Sequence, residues 1–175
     1  MSRKAKKTID ISAVDFKQND SQINVKGKHG ELSLTLDHNV KISIEDNKLS
    51  VFSEPTTPYV GMYFALLSNM VHGVEHQFTE TLLLSGVGYK AAFSNNQLDL
   101  SLGYSHPIKY DVPESISIEM VSPIEIKVKG CDKQLVGEVA AQIMSYRPAK
   151  KDPYKQKGIK RQHDIILKKA GKKVK

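Results

Sequence analysis

The sequence has 175 residues, of which 39% are hydrophobic and one is cysteine, and its formal net charge is +7. This length and apolar content allow a packed core in one domain or in two small ones. The single cysteine, Cys131, excludes an internal disulfide and a cysteine zinc cluster. No apolar run reaches the roughly 18 residues of a membrane helix. The basic start lacks a following apolar segment, so we expect no secretory signal and a cytoplasmic protein.

The first part of the chain alternates between apolar and polar residues, as in Leu32 and Leu34 and again in Ile42 and Ile44. This period of two predicts half-buried strands, and the short turns between them favour antiparallel hairpins. Gly27-Lys28-His29-Gly30 has the GxxG spacing of a KH-type RNA-binding loop. It lies between two strand-like runs, however, so a hairpin turn is the favoured interpretation.

The period then changes to that of a helix. Thr57-Pro58 is a suitable helix start, and Gly73 is a natural stop, so we predict an amphipathic helix over about residues 58–72. Its apolar positions are Val60, Phe64, Leu67 and Val71. His72 and His76 have the spacing of a helical metal pair. Because Gly73 should end the helix between them, we expect no metal site.

The second half repeats the same order. Gly86-Val87-Gly88-Tyr89-Lys90 resembles a phosphate-binding loop, but a strand pattern and not a helix follows, which favours a simple bend. Further alternating runs lead to Asp132, a candidate cap for a second helix that should end at Arg147-Pro148.

The two halves can be superposed in sequence. Residues 42–45 and 116–119 are identical, and in each half a further strand and a helix with an early glycine follow (Gly61 and Gly137). Close helix–sheet packing is the favoured reason for these glycines, and a tolerated glycine is the alternative. We therefore predict an α+β fold, a tandem duplication of a small antiparallel β-sheet packed with one α-helix, plus a basic C-terminal tail. The expected segments are an arm at 1–10, repeats at 11–80 and 81–148, and a tail at 149–175.

Charge is strongly segregated along the chain. Residues 147–175 hold 12 of the 26 Lys and Arg residues and carry +10, residues 1–10 carry +3, and residues 11–146 carry −6. An acidic body with cationic ends is typical of a protein that binds a polyanion. Nucleic acid is favoured over an anionic membrane, because the apolar residues of the tail are too few and too scattered to form a membrane-binding face.

The tail is the main candidate interface, and a tail that only makes the protein more soluble is the alternative. Its prolines favour an extended path that places cations along a phosphate backbone, with a short helix expected over 162–170. The outer part of the tail should be disordered in the free protein. Deletion of residues 147–175 should leave a folded body. The candidate RNA-binding residues are Arg147, Lys150, Lys151, Tyr154, Lys155, Lys157, Gly158, Lys160, Arg161, Lys168, Lys169, Lys172 and Lys173 in the tail, and Arg3, Lys4, Lys6 and Lys7 at the start.

The sequence offers no catalytic constellation. None of its serines lies in a nucleophile-elbow context, and its carboxylates are scattered over strand-like runs. An enzyme with a basic substrate-binding arm therefore has no residues to support it. We expect no catalysis, no cofactor, no metal and no small-molecule substrate.

Four segments, Leu84–Ala91, Leu100–Pro107, Val128–Gly137 and Pro153–Ile159, closely resemble the bacterial form of the large-subunit ribosomal protein six family. The resemblance runs over nearly the whole chain. It implies a duplicated sheet-and-helix fold and a ribosomal protein that supports subunit assembly and translation. It also implies binding to large-subunit (23S) rRNA near the stalk base and the factor-binding region, beside neighbouring ribosomal proteins and translation factors. A free RNA-binding chaperone or KH-like regulator is the alternative.

The sequence departs from the family pattern at several positions. Gln156 stands where glycine is usual, Arg161 where an aromatic residue is common, and His29 where proline is usual; Lys150-Lys151 lengthens the link after Arg147-Pro148. These differences affect the expected RNA contacts and leave the overall assignment unchanged.

Overall fold

The computed structural model describes residues 7–19, 21–36, 40–53, 58–169 and 171. The chain divides into two compact units. The first comprises residues 1–78 and 131–133, and the second comprises residues 79–130 and 134–175. The predicted domain bounds differ in detail from this division and remain a proposal.

Within its described residues, the first unit contains six strands and one helix. The elements are β1 (Ile9–Asp10), β2 (Asp15–Asn19), β3 (Gln22–Gly27), β4 (Gly30–Thr35), β5 (Lys41–Glu45), β6 (Lys48–Phe52) and α1 (Val60–His76). Two antiparallel three-stranded sheets have the orders β2-β3-β4 and β1-β6-β5. The Gly27–Gly30 segment is a hairpin turn, as predicted, because β3 ends at Gly27 and β4 begins at Gly30.

The core of this unit follows the predicted periodicities. Alternate residues of β3 and β6 are buried, including Ile23 and Leu49, which are both 0% exposed. The helix adds the four apolar positions expected from the sequence, all of them buried: Val60, Phe64, Leu67 and Val71. One hydrophobic cluster therefore joins both sheets to α1.

The predicted end of α1 is wrong. The helix continues through Gly73 to His76, and Gln77 follows it with a positive φ of 57°. A Cβ atom at Gly73 would collide with the carbonyl oxygen of Cys131, so this glycine permits a close backbone approach and is not a stop. His72 and His76 consequently share the helix, with their ring centroids 5.3 Å apart. Thr57, which was predicted to begin this helix together with Pro58, lies outside the described residues.

The second part of the chain has the corresponding elements. They are β7 (Phe78–Ser85), β8 (Lys90–Ser94), β9 (Gln97–Ser101), β10 (Ile108–Asp111), β11 (Ile116–Ser122), β12 (Glu125–Gly130), α2 (Lys133–Tyr146), a 3₁₀ turn (Ala149–Lys151) and β13 (Gly158–Arg161). The sheets have the orders β10-β9-β8 and β11-β12-β7-β13. As predicted, α2 ends directly before Arg147, and a strand follows the Gly86–Gly88 bend.

The tandem repetition of small sheets and a helix is confirmed. The β2-β3-β4 sheet corresponds to β10-β9-β8 read from the other end, and the β1-β6-β5 order corresponds to β7-β12-β11. In each half the last two strands lead into the helix. β13 has no counterpart in the first half. It pairs with the outer edge of β7, whereas the outer edge of β1, the corresponding strand, has no partner strand within the described residues.

The predicted packing role of the early helix glycine fails at Gly137. No heavy atom of the described residues lies within 4 Å of a Cβ placed there, apart from the immediate chain and helix backbone. Gly137 is therefore a tolerated glycine, as in the alternative interpretation.

Candidate nucleic-acid interface

The basic tail, residues 147–175, begins as part of the folded body. β13 pairs antiparallel with β7, with Gly158 opposite Ser85 and Arg161 opposite Leu82. Two of the tail's apolar residues, Ala149 and Ile159, are each only 1% exposed. The structure therefore argues against the expectation that removing residues 147–175 would leave the body intact, because removal would uncover the β7 edge.

Gly158 is buried against the protein's own backbone. Its φ is +145°, and a Cβ atom there would lie 2.5 Å from the Arg147 carbonyl oxygen and 2.6 Å from the Ala149 amide nitrogen. Ile159 donates its N–H to the same Arg147 oxygen at 2.8 Å. The structure thus gives this glycine a role in closing the tail onto the end of α2, while its predicted contact with RNA stays a prediction.

The turn before β13 is held by one carboxylate. Asp152 Oδ1 accepts N–H groups from Tyr154 and Lys155 at 3.1 and 3.2 Å, and its Oδ2 accepts the Lys157 N–H at 3.3 Å. These hydrogen bonds, with that from Lys155 as the largest cause, lower the pKa of Asp152 below its ordinary 3.8. The side chain is therefore ionised at neutral pH, and its acceptor oxygens are occupied within the turn.

Gln156 lies in the left-handed region with φ 55°, which explains why the family resemblance predicts glycine at this position. Its side-chain Nε2 donates to the Ile166 carbonyl oxygen at 2.8 Å. Lys169 donates its N–H to Pro153 O at 2.9 Å. These two bonds hold residues 166–169 in an irregular path back along the turn.

The predicted helix over 162–170 is consequently wrong in its described part. Residues 162–163 form a turn and residues 164–169 have no regular structure. A helix would need its N–H and carbonyl groups to bond four residues apart, whereas Ile166 O and Lys169 N–H bond to residues around 153–156. Residue 170 lies outside the described residues.

Arg147 is tied to the body by its guanidinium. Its Nη1 donates to Leu102 O at 3.0 Å, and its Cζ lies 5.0 Å from the Tyr104 ring centroid and 5.6 Å from that of Tyr89. Such cation–π contacts fix a long side chain in one position. Tyr104 is itself fixed, because its hydroxyl donates to Tyr146 O at 2.9 Å.

The remaining tail candidates differ in their exposure. Lys160 and Arg161 are half-buried on β13, and Arg161 Nε lies 3.5 Å from Glu80 Oε1. Tyr154 is 57% exposed. Among the tail residues that the structure describes, the exposed cations are Lys150, Lys151, Lys155, Lys157, Lys168 and Lys169. The side chains of these six lysines are open to a ligand.

The predicted N-terminal contribution is largely outside the described residues. Only Lys7 of that group is described, and it is exposed. Arg3, Lys4 and Lys6, like Lys172 and Lys173 at the other end, lie outside the described residues.

A groove at the root of the tail was not predicted from the sequence. It has a volume of about 530 Å³ and is lined by Tyr104, Tyr146, Arg147, Pro148, Lys151, Asp152, Pro153 and Lys157. No spacing or motif relates the tyrosines to the tail, since Tyr104 precedes α2 and Tyr146 ends it. Only the fold brings them beside the lysines.

The described residues contain neither a group of three or more His, Cys, Asp or Glu side chains arranged to hold a metal ion nor a helix long and apolar enough to cross a membrane. Burial raises the pKa of the Cys131 thiol, and its Sγ donates to His29 O at 3.1 Å. This agrees with the small, unreactive side chain expected of a partly buried thiol.

Comparison with known proteins matches the sequence model of the family described as Ribosomal protein L6 to residues 85–162. The large ribosomal subunit protein uL6 of Stenotrophomonas maltophilia is 45% identical over 175 residues, which cover 99% of both chains. That of Hydrogenovibrio crunogenus is 43% identical over 178 residues, again 99% of both. The large ribosomal subunit protein uL6c of Phaeodactylum tricornutum is 45% identical over the full length of both chains.

Proposed function

Because the chain belongs to the ribosomal protein L6 family, we propose that it is a structural, non-catalytic constituent of the large ribosomal subunit. The observation that carries this proposal is the 45% identity, over 99% of both chains, to a relative named as a large ribosomal subunit protein. The site of action is then the ribosome, and the principal partner is large-subunit rRNA.

We assign the contact with rRNA mainly to the tail. Six exposed lysines project from a segment that β13 and the Asp152 turn hold against the second unit. Phosphate groups would attract these cations, while the acidic body disfavours contact elsewhere. The proposal also includes Arg147, Tyr154, Gly158, Lys160 and Arg161, the arm residues Arg3, Lys4, Lys6 and Lys7, and the terminal Lys172 and Lys173.

The finer part of the proposal follows the family resemblance. It places the protein on 23S rRNA near the stalk base and the factor-binding region, where it meets neighbouring ribosomal proteins, lies close to translation factors, and supports assembly. The fixed position of the tail root supports recognition of folded RNA by its shape, since a rigid scaffold holds cations in a set arrangement and no base-reading motif is visible in the sequence; the location itself is carried by the family resemblance alone.

A charge variant tests the proposal better than a truncation, because truncation would remove β13. The variant Lys151→Ala/Lys155→Ala/Lys157→Ala should fold normally by circular dichroism but should be depleted from large subunits in sucrose gradients. The matched control, Lys17→Ala/Lys41→Ala/Lys48→Ala, removes three exposed lysines from the first unit and should be incorporated like the unmodified protein.

Salt dependence gives a second measurement. If six to ten cations neutralise phosphates, the affinity for large-subunit rRNA should fall roughly 10³–10⁵-fold between about 50 and 200 mM salt. A nearly flat response would contradict phosphate neutralisation. Unmodified protein that stays at the top of the gradient, away from the large subunit, would instead favour a free RNA chaperone.

A further inference from the structure

We propose that the groove at the root of the tail holds one unstacked nucleotide of RNA. Its base would lie against the tyrosines, and its phosphate would lie among Arg147, Lys151 and Lys157. This inference rests on the proposed rRNA binding and adds to it a specific subsite.

The groove has the size of a small-molecule site. Its volume of about 530 Å³ lies within the roughly 300–1,000 Å³ of known ligand pockets. Two residues of its wall, Pro148 and Pro153, are prolines and have a restricted backbone. The Asp152 carboxylate closes the turn that follows it by accepting the N–H groups of Tyr154 and Lys157. The groove is therefore a preformed feature of the second unit.

The aromatic side of the groove suits a base. Tyr104 is 47% exposed, and the bond from its hydroxyl to Tyr146 O holds the ring in place. The Arg147 guanidinium lies 5.0 Å from the Tyr104 ring centroid. Unpaired bases of RNA stack on tyrosine rings, and the exposed part of the Tyr104 ring, beside the guanidinium that already lies over it, offers a base such a surface.

The polar side suits a phosphate. Arg147, Lys151 and Lys157 give three positive charges against the single Asp152, whose oxygens already accept three backbone N–H groups. In the described part of the chain, no carboxylate forms an ion pair with Lys151 or Lys157. A carboxylate group or free phosphate would use the cations alone, whereas a nucleotide uses both the cations and the exposed ring.

The first test is a titration of the full-length, ¹⁵N-labelled protein with adenosine monophosphate, followed by backbone amide shifts. We expect shifts at Tyr104 and across 146–157 that are larger than those caused by inorganic phosphate at the same concentration. Equal shifts with inorganic phosphate would show that the groove binds anions but not the base. The absence of shifts with either compound would contradict a ligand site in the groove.

The second test measures binding to a large-subunit rRNA transcript at fixed salt. Tyr104→Leu removes the aromatic face and should weaken binding on the order of 5- to 150-fold, the range typical of one stacked base. Tyr104→Phe keeps the ring but loses the hydroxyl's bond to Tyr146 O, so it should bind more tightly than Tyr104→Leu and somewhat less tightly than the unmodified protein. Tyr59→Leu, at an exposed tyrosine of the first unit, is the matched control and should have no effect.

A third variant covers the case in which Tyr104→Leu does not fold. Lys151→Ala changes an exposed side chain and should lower the slope of log affinity against log salt by about 0.7–0.9. Lys109→Ala, exposed on β10, should leave it unchanged. If unmodified protein binds no rRNA, the proposed function fails. If it binds rRNA and the Tyr104 and Lys151 variants match it, only the groove proposal fails.

Discussion

Replacement of Ile159 by alanine tests whether the tail root is part of the fold. Ile159 is 1% exposed on β13, opposite Leu84 of β7. The change removes three buried carbon atoms, each of which contributes about 0.8 kcal/mol of hydrophobic stabilisation, and it leaves a cavity that costs further stability. We therefore expect a loss of about 3 kcal/mol in the free energy of unfolding. This corresponds to a decrease in Tm of about 6–12 °C for a chain of this size.

Ile165 provides a matched control in the same tail. It undergoes the same chemical change to alanine but is 91% exposed, so its effect should stay within about 0.5 kcal/mol. Urea unfolding followed by circular dichroism gives both values, provided that the m-values agree. If the two variants were equally stable, β13 would not be folded in solution, and the tail would be a free arm.

The other predictions concern two helix glycines and one carboxylate. Gly137→Ala should stabilise the protein by about 1 kcal/mol, because the added Cβ lies in open space on a helix. Gly73→Ala should destabilise it, because the added Cβ would collide with the Cys131 carbonyl oxygen. Thermal unfolding measures both effects. Asp152→Asn should destabilise the protein at neutral pH, where the carboxylate is ionised. Because the folded pKa lies below the ordinary 3.8, that stabilisation is present above about pH 4 and is lost as pH falls through the lowered value. The difference in urea midpoint between the two proteins should therefore shrink in acid.

The repeated architecture was predictable because it depends on local periodicity. Alternating apolar residues and a helical stripe recur in the same order in both halves, and the identity of residues 42–45 with 116–119 aligns them. The end of α1 was not predictable in this way. Glycine is compatible both with a helix stop and with close packing, and only the approach of Cys131 to Gly73 decides between them.

The tail shows the same limit more clearly. Ile159 is a single apolar residue among Lys157, Gly158, Lys160 and Arg161, a composition that predicts an unfolded cationic arm. This segment is folded because it pairs as a strand with the edge of β7. Pairing between distant segments carries no local signature, so charge could identify the tail as the interface but could not show that its root belongs to the sheet.

This arrangement bears on how the tail would recognise RNA. A free cationic arm loses conformational entropy when it binds, which reduces its affinity. Here β13, the Asp152 turn and the Arg147 contacts order the root within the protein itself. The backbone that carries the lysines around the groove is therefore positioned before any ligand arrives, and the entropy cost of ordering that backbone is met in folding, whereas the exposed lysine side chains still lose entropy on binding. Weakening β13 should then reduce RNA affinity even when every cation is retained, so the Ile159 variant should lose binding that the Ile165 variant keeps.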